Sequence, residues 1–165
     1  MAFEIERRFL IKNENWKEFI NKKVYIEQGY FSKSLDGWII RVRLIGKNSK
    51  ITLKKHIKGF TNFEFEYSIP RSDAETIMSN LSNIIKKDRY LLEIEKKTWI
   101  IDCFKEKNFP LEIAEIELPN EKEDLNLPSF VSKEITGLKY FSNFSLFNKP
   151  FSEWKKRNLK TLEKN

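Results

Sequence analysis

GWIIRVRLIGKNSKITLKKHIKGFTNFEFEYSI, residues 37–69, is a succession of alternating apolar and polar side chains broken by two turn signals. Successive strand residues point to opposite faces, so i and i+2 share one face. Arg41 and Arg43 therefore lie together, opposite Ile40, Val42 and Leu44. Thr52, Lys54 and His56 lie together, opposite Ile51, Leu53 and Ile57. Glu64 and Glu66 alternate with Phe63, Phe65 and Tyr67. Asp36-Gly37, Gly46-Lys47-Asn48 and Lys58-Gly59 mark the turns. Strands this closely spaced predict an antiparallel meander.

The pattern continues outward in both directions. Strands are expected at 3–10, 24–32, 37–46, 49–57, 61–69, 84–93, 97–104 and 111–118. A short helix is expected over 13–22, capped by Asn13 or Asn15, with Trp16, Phe19 and Ile20 on one face. A second is expected over 71–81, with Ser72 and Glu75 as a capping box. PNEKEDLNLPSF reads as a polar connection with room for one helical turn. Residues 141–148 and 151–162 read as short helices, the last capped by Ser152 and anchored by Trp154, Leu159 and Leu162. The fold class is α+β: an eight-stranded antiparallel β-barrel or strongly curled sheet with a few peripheral helices. One domain is expected over 1–165, with the barrel at about 3–145 and a helical tail at about 149–165.

The charges are sorted along these strands. Glu4, Glu6 and Arg8 share a face of the first strand, opposite Phe3, Ile5 and Phe9. Lys87 and Arg89 lie together, and Glu115 and Glu117 alternate with Ala114, Ile116 and Leu118. Most alternating strands simply have one wet face. Here, however, the pairs are like-signed, whereas a surface chosen only for solubility mixes signs. Like charges two strand residues apart sit about 6.6 Å apart and repel by roughly 2.5 kcal/mol at a dielectric of about 20. Three acidic pairs then cost about 7 kcal/mol, comparable to a domain's whole stability of about 5–15 kcal/mol. Water and salt relieve this on an open surface. Inside a barrel, cations must sit among the acids and anions among the bases. Hard cations such as Mg²⁺ take carboxylate and phosphate oxygens, and clustered Arg and Lys suit phosphate.

Composition narrows the classes. The 165 residues are 40% hydrophobic and 33% charged, with a net charge of +7, enough apolar material for a core and a balance suited to an anionic partner. No run approaches the roughly 20 apolar residues of a membrane span, so no membrane association is expected. MAFEIERRFL carries acids and no apolar run, so no signal peptide is expected. The single Cys103 excludes an internal disulfide, and a cytoplasmic location is the expectation. Alternation points Cys103 away from the charged face, as a structural thiol. His56 reads more readily as a surface residue than as a ligand. Phe3, Phe9, Phe31, Phe63, Phe65 and Phe104 read as packing between strands and outer helices.

At these residues the sequence resembles the CYTH family, the triphosphate tunnel metalloenzymes. The ExExK motif stands here as Glu4-Ile5-Glu6-Arg7-Arg8. QGYFS (28–32), RVR (41–43), ITLK (51–54), EFE (64–66), KDR (87–89), Asp102, AEIEL (114–118) and Lys139 follow in family order, a likeness over about residues 3–145. The resemblance implies an eight-stranded tunnel that binds a triphosphate and Mg²⁺ or Mn²⁺. It implies metal contacts from Glu4, Glu6, Glu115 and Glu117, with Glu64, Glu66 and Asp102 as further candidates. It implies phosphate contacts from Arg8, Arg41, Arg43, Lys54, Lys87, Arg89 and Lys139, with Arg8, Lys54 and Lys87 as the candidate catalytic residues. One departure bears on mechanism: Arg8 stands where the motif has lysine. Arg8 keeps the charge but cannot accept a proton.

The first expectation is metal-dependent hydrolysis of inorganic triphosphate to diphosphate and phosphate. The alternatives are an adenylate cyclase of the same family, a thiamine or nucleoside triphosphatase, and a non-catalytic polyphosphate-binding module. Nucleic acid ranks below a small-molecule triphosphate, because a recognisable RNA-binding aromatic motif is missing. A homodimer is compatible with the sequence.

Overall fold

Among the described residues, nine strands form one antiparallel sheet that curls until its edges meet. The computed structural model describes residues 3–31, 36–59 and 61–154. Among them are β1 (Phe3–Ile11), β2 (Ile20–Tyr30), β3 (Trp38–Ile45), β4 (Asn48–Lys58), β5 (Thr61–Ser68), β6 (Ile85–Ile94), β7 (Lys97–Phe104), β8 (Glu112–Glu117) and β9 (Val131–Glu134). The order is β5-β4-β3-β2-β6-β7-β8-β1-β9, and β5 also pairs with β1 to close the barrel. One long edge of β1 is shared: residues 3–5 pair with β5, and Phe9 and Ile11 pair with β9. The meander forms where the alternation places it. At the β6–β7 turn, Glu95 and Lys96 both take positive φ, 50° and 61°, the twist a two-residue hairpin turn needs.

The inward face of several strands changes character along its length. On β1, Glu4, Glu6 and Arg8 give way to Leu10. On β6, Arg89 and Lys87 give way to Ile85. On β7, Asp102 gives way to Phe104, and on β8, Glu117 and Glu115 give way to Ile113. Leu10, Ile85, Phe104 and Ile113 pack with Phe141, Leu146, Phe147 and Trp154 into one apolar cluster. The C-terminal segment thus plugs one end of the barrel. A second cluster covers the outer face of β1, β7 and β8 with Trp16, Leu118 and Phe130. A third seats helix α1 (Arg71–Ser79) on β3 through Ala74, Met78 and Val42.

The structure departs from the sequence reading at several places. β9 is a ninth strand, short and following a polar loop, where only a connection was expected. Residues 14–19 form a 3₁₀ turn capped by Asn13, and β2 begins at once at Ile20. Only Trp16 is buried there, while Phe19 and Ile20 are exposed. Pro70, not Ser72, precedes α1, and no side chain caps it. Ser72 donates to Asp73, and Glu75 accepts from Arg71, so the capping box is absent. Helix α2 (Asn143–Asn148) is capped by Ser142. Phe151–Glu153 is one 3₁₀ turn without a side-chain cap, so Ser152 does not cap it. Ser32, and residues 155–162 with Leu159 and Leu162, lie outside the described residues.

Phe9 and Phe104 pack as expected, but Phe3 and Phe31 are exposed. Phe3, Phe63, Phe65 and Trp38 instead stack on one another along the outer face of β5 and its neighbours. Cys103 faces away from the lumen, and burial with nearby Glu112 pushes its thiol up. Among the described residues no helix is long and apolar enough to cross a membrane.

Candidate active site

A cavity of about 610 Å³ occupies the unplugged part of the barrel. Alternation on β1, β3, β4, β5, β6 and β8 delivers Glu4, Glu6, Arg8, Arg41, Arg43, Lys54, Glu64, Arg89, Glu115 and Glu117 to its wall. His56 also lines it, exposed and 3.4 Å from the Asn62 side-chain oxygen. Lys139 reaches the cavity from the segment that follows β9. Glu66, Lys87 and Asp102 do not line this cavity; each is held by ion pairs behind or beside it.

Three knots of charge organise the wall. In the first, Lys54 Nζ touches Glu4 Oε2 and stands 3.4 Å from Glu6 Oε1 and 3.5 Å from Glu64 Oε2. Burial, Glu6 and Glu64 together push the Glu4 carboxyl up to about 8, against the pull of Lys54. Burial also opposes ionisation of Glu6, but Lys54 and Arg8 outweigh it and hold Glu6 below the ordinary carboxylate range. Burial, then Glu6 and Glu64, push Glu117 up. Lys54 itself is raised: burial disfavours its charge, yet Glu6, Glu4 and Glu64 more than compensate. One ammonium is thus shared by three carboxylates.

The second knot is built on Glu66. It accepts from Arg43 at 2.7 Å, Lys50 at 2.5 Å, Thr52 at 3.1 Å and Arg41 at 3.4 Å. Burial resists ionisation, but the Lys50 hydrogen bond and the two guanidiniums bring Glu66 down to about 2. Its folded pKa lies below the unfolded one. The stabilisation is therefore present above the ordinary carboxylate range and is lost as pH falls toward about 2. Glu66→Gln is expected to be less stable near neutrality and to show a flatter acid limb, checked by urea unfolding at a series of pH values between about 6 and 2.

The third knot is centred on Asp102 and Lys87, which are fully enclosed. Asp102 accepts two hydrogen bonds from Arg89, both at 2.7 Å, and one from Lys87 at 2.5 Å. Lys87 also donates to the Asn143 side-chain oxygen at 3.0 Å. Burial, helped by Arg89, drops the Lys87 ammonium to about 8 despite Asp102. Arg89 extends to Glu115 at 3.3 Å, and Arg8 Nε donates to Glu115 at 2.9 Å. The other arm of Arg8 donates to the Phe141 carbonyl at 3.0 Å. This explains a local use for arginine at position 8: its fork spans from the barrel wall to the plug, a reach a single ammonium lacks.

Two residue sets escaped the alternation. Gln28 and Tyr30 of β2 face inward, and Gln28 donates to the Tyr30 hydroxyl at 2.8 Å. Their parity within QGY was readable, but neither carries a charge. Thr136, Ser142 and Asn143 line the cavity from irregular backbone, where no strand period applies. Among the described residues, the buried Nε atoms of Arg41 and Arg43 have no acceptor. Both side chains line the cavity, where their guanidiniums can meet an anion.

The donor set also suits a hard divalent cation. Glu4, Glu6, Glu64 and Glu117 offer carboxylate oxygens alone, the chemistry Mg²⁺ and Mn²⁺ take. Glu64 Oε2 is buried with no hydrogen-bond donor. A cation is what this crowd of like charges lacks beyond Lys54. Among the described residues no three side chains are already gathered into a metal cage.

The chain is 34% identical over 157 residues to an inorganic triphosphatase of Acetivibrio thermocellus, covering 94% of this chain and 99% of that protein. The crystal structure of the inorganic triphosphatase NE1496 superposes with a TM-score of 0.64 at 25% identity, covering 89% of this chain and 95% of that one. A Hippeastrum protein with a dominant triphosphatase activity shares the fold, at a TM-score of 0.55 and 12% identity over 73% of this chain and 80% of its own. No family model matches the chain.

Proposed function

The chain belongs to the inorganic triphosphatase family, and from that premise we propose that its barrel hydrolyses inorganic triphosphate to diphosphate and orthophosphate with a divalent cation. The wider CYTH assignment is supported by the order of the motifs along β1 to β8. The observation that carries the reading is the sorting of the lumen, with the guanidiniums of Arg41, Arg43 and Arg89 in one part of its wall and a group of carboxylates sharing the single ammonium of Lys54 in another.

Arg41, Arg43 and Arg89 bind the phosphate chain. Their partners Glu66 and Asp102 hold the guanidinium planes in place, so little side-chain freedom is lost on binding. Lys139 is an exposed ammonium at the cavity and closes on the anion from the plug side. Glu4, Glu6, Glu64 and Glu117 would hold Mg²⁺ or Mn²⁺. A bound cation would neutralise charge on the triphosphate.

In the hydrolysis a water attacks the terminal phosphorus, the bond to the bridging oxygen breaks, and diphosphate leaves. Arg8 cannot take the water's proton. Lys54 stays protonated beside its acids. Lys87 is walled off by Asp102 and Asn143. The proton acceptor is therefore a carboxylate of the Glu4 group, and the role of Lys87 is to brace Asp102 and the plug. The test is a panel of triphosphate, ATP, thiamine triphosphate and diphosphate with Mg²⁺ or Mn²⁺, scoring phosphate and cyclic AMP together. Phosphate release is expected from triphosphate ahead of the others and none without metal. Cyclic AMP from ATP, or tight triphosphate binding without turnover, would overturn it.

A further inference from the structure

Lys54 occupies the position where a metal ion would be most useful. Its ammonium is drawn to carboxylates on both sides of the barrel seam, Glu4 and Glu6 of β1 and Glu64 of β5. An ammonium and a divalent cation compete for those oxygens. A metal arriving alone takes Glu4, Glu6, Glu64 and Glu117 and must expel Lys54 into a lumen whose remaining acids are already committed: Glu66 to Arg43 and Lys50, and Asp102 and Glu115 to Arg89. Expelled without a partner, the partly buried ammonium would be desolvated and unpaired, a costly state. A triphosphate held on Arg41 and Arg43 changes this. It brings acceptor oxygens to the face of β4 next to Lys54, because Arg41 lies opposite Thr52, the inward neighbour of Lys54.

We propose that Lys54 is an internal counter-ion for the carboxylate group, released only when triphosphate offers it new acceptors, so that the barrel admits divalent metal together with triphosphate rather than before it. The inference rests on the metal reading above and adds to it a coupling carried by one side chain. Lys54 is then a positioning residue for the metal in the empty barrel and a phosphate contact in the loaded one. The linkage is reciprocal: metal strengthens triphosphate binding by the same factor that triphosphate strengthens metal binding.

Calorimetric titration of the full chain with MnCl₂, alone and with saturating non-hydrolysable imidotriphosphate, reads this coupling without turnover. The parent protein is expected to bind Mn²⁺ weakly alone and much more tightly with imidotriphosphate. In Lys54→Met, Mn²⁺ alone is expected to bind at least about tenfold more tightly than to the parent, and the gain from imidotriphosphate is expected to shrink by about the same factor. Lys54→Gln serves if the methionine variant fails to fold, and circular dichroism with thermal unfolding monitors both. A folded Lys54 variant whose Mn²⁺ affinity is unchanged or weaker overturns the proposal, as does a full-sized gain that survives the substitution, which would be direct metal–phosphate contact. Repeating the titration with Glu6→Gln separates the two layers. If Mn²⁺ binding in the Lys54 variant ignores Glu6→Gln, the metal reading itself is wrong, and the counter-ion role falls with it.

Discussion

Glu4→Gln is expected to lose triphosphate hydrolysis by about 10²–10³-fold while the barrel stays at least as stable as the parent. The two halves of this result have one cause. Glu4, Glu6 and Glu64 are like charges crowded at a buried seam with a single ammonium among them. Replacing one carboxylate by an amide of the same shape removes repulsion and leaves Lys54 with two acids. It also removes an oxygen charge from the group that would hold the metal. Sites that store unfavourable charge for function gain stability when that charge is removed. Initial rates with Mg²⁺ or Mn²⁺ and a thermal unfolding curve on the same preparation check both halves. Undiminished turnover would remove Glu4 from the metal group.

Asp102→Asn is expected to have the largest effect on folding, a loss of about 3–5 kcal/mol, because it strips the carboxylate from two buried cations. Asp102 is completely enclosed, and Lys87 is 1% exposed, so solvent cannot stand in. Glu115 still reaches Arg89, but Lys87 keeps only the Asn143 oxygen. At roughly 2–4 °C per kcal/mol for a chain of this size, the melting temperature falls by roughly 6–20 °C. The pH dependence has a definite sign. Lys87 already titrates near 8, below an ordinary lysine, so its neutral form is favoured in the folded state. Without Asp102 that preference deepens, and the deficit shrinks as pH rises toward about 8 and then levels off. Adding Lys87→Met to Asp102→Asn should recover part of the loss at neutral pH. Urea unfolding of the three variants measures each step.

Much of this was legible in the sequence because a strand has a short and strict period. The parity of Arg41 and Arg43, of Glu64 and Glu66 and of Glu115 and Glu117 is enough to place all six on the inner face. What parity could not say was which charges would meet. Glu66 lies closer in sequence to Glu64 than to Lys50, yet it belongs with Lys50 and Arg43, because the β3–β4–β5 register brings those residues together. Asp102 was grouped with the metal candidates for its charge, and the register set it directly opposite Arg89.

The plug was missed for a different reason. Leu10, Ile85, Phe104 and Ile113 sit at the same parity as the charges, so each inward face already announced an apolar end. Phe141 and Trp154, which meet them, come from the ends of single 3₁₀ turns, and Phe147 comes from the six-residue helix α2, all too short for a period to show which face is buried. The failed capping box at Ser72 is a local matter: Pro70, with its fixed φ, starts α1 two residues earlier.

The pairing of charges inside the barrel bears on how the protein behaves in solution. The strand cations that face the lumen are Arg8, Arg41, Arg43, Lys50, Lys54, Lys87 and Arg89, and they meet an equal number of carboxylates. The net charge of +7 therefore belongs to the skin of the molecule and to residues 155–165, which carry five Lys and Arg against one Glu. Retention on a cation exchanger, or co-purification with cellular polyanions, would report on that skin and say nothing about occupancy of the lumen. The outer field gathers anions of every kind, whereas in the proposed exchange the interior favours an anion that can meet Arg41 and Arg43 and satisfy Lys54 at once.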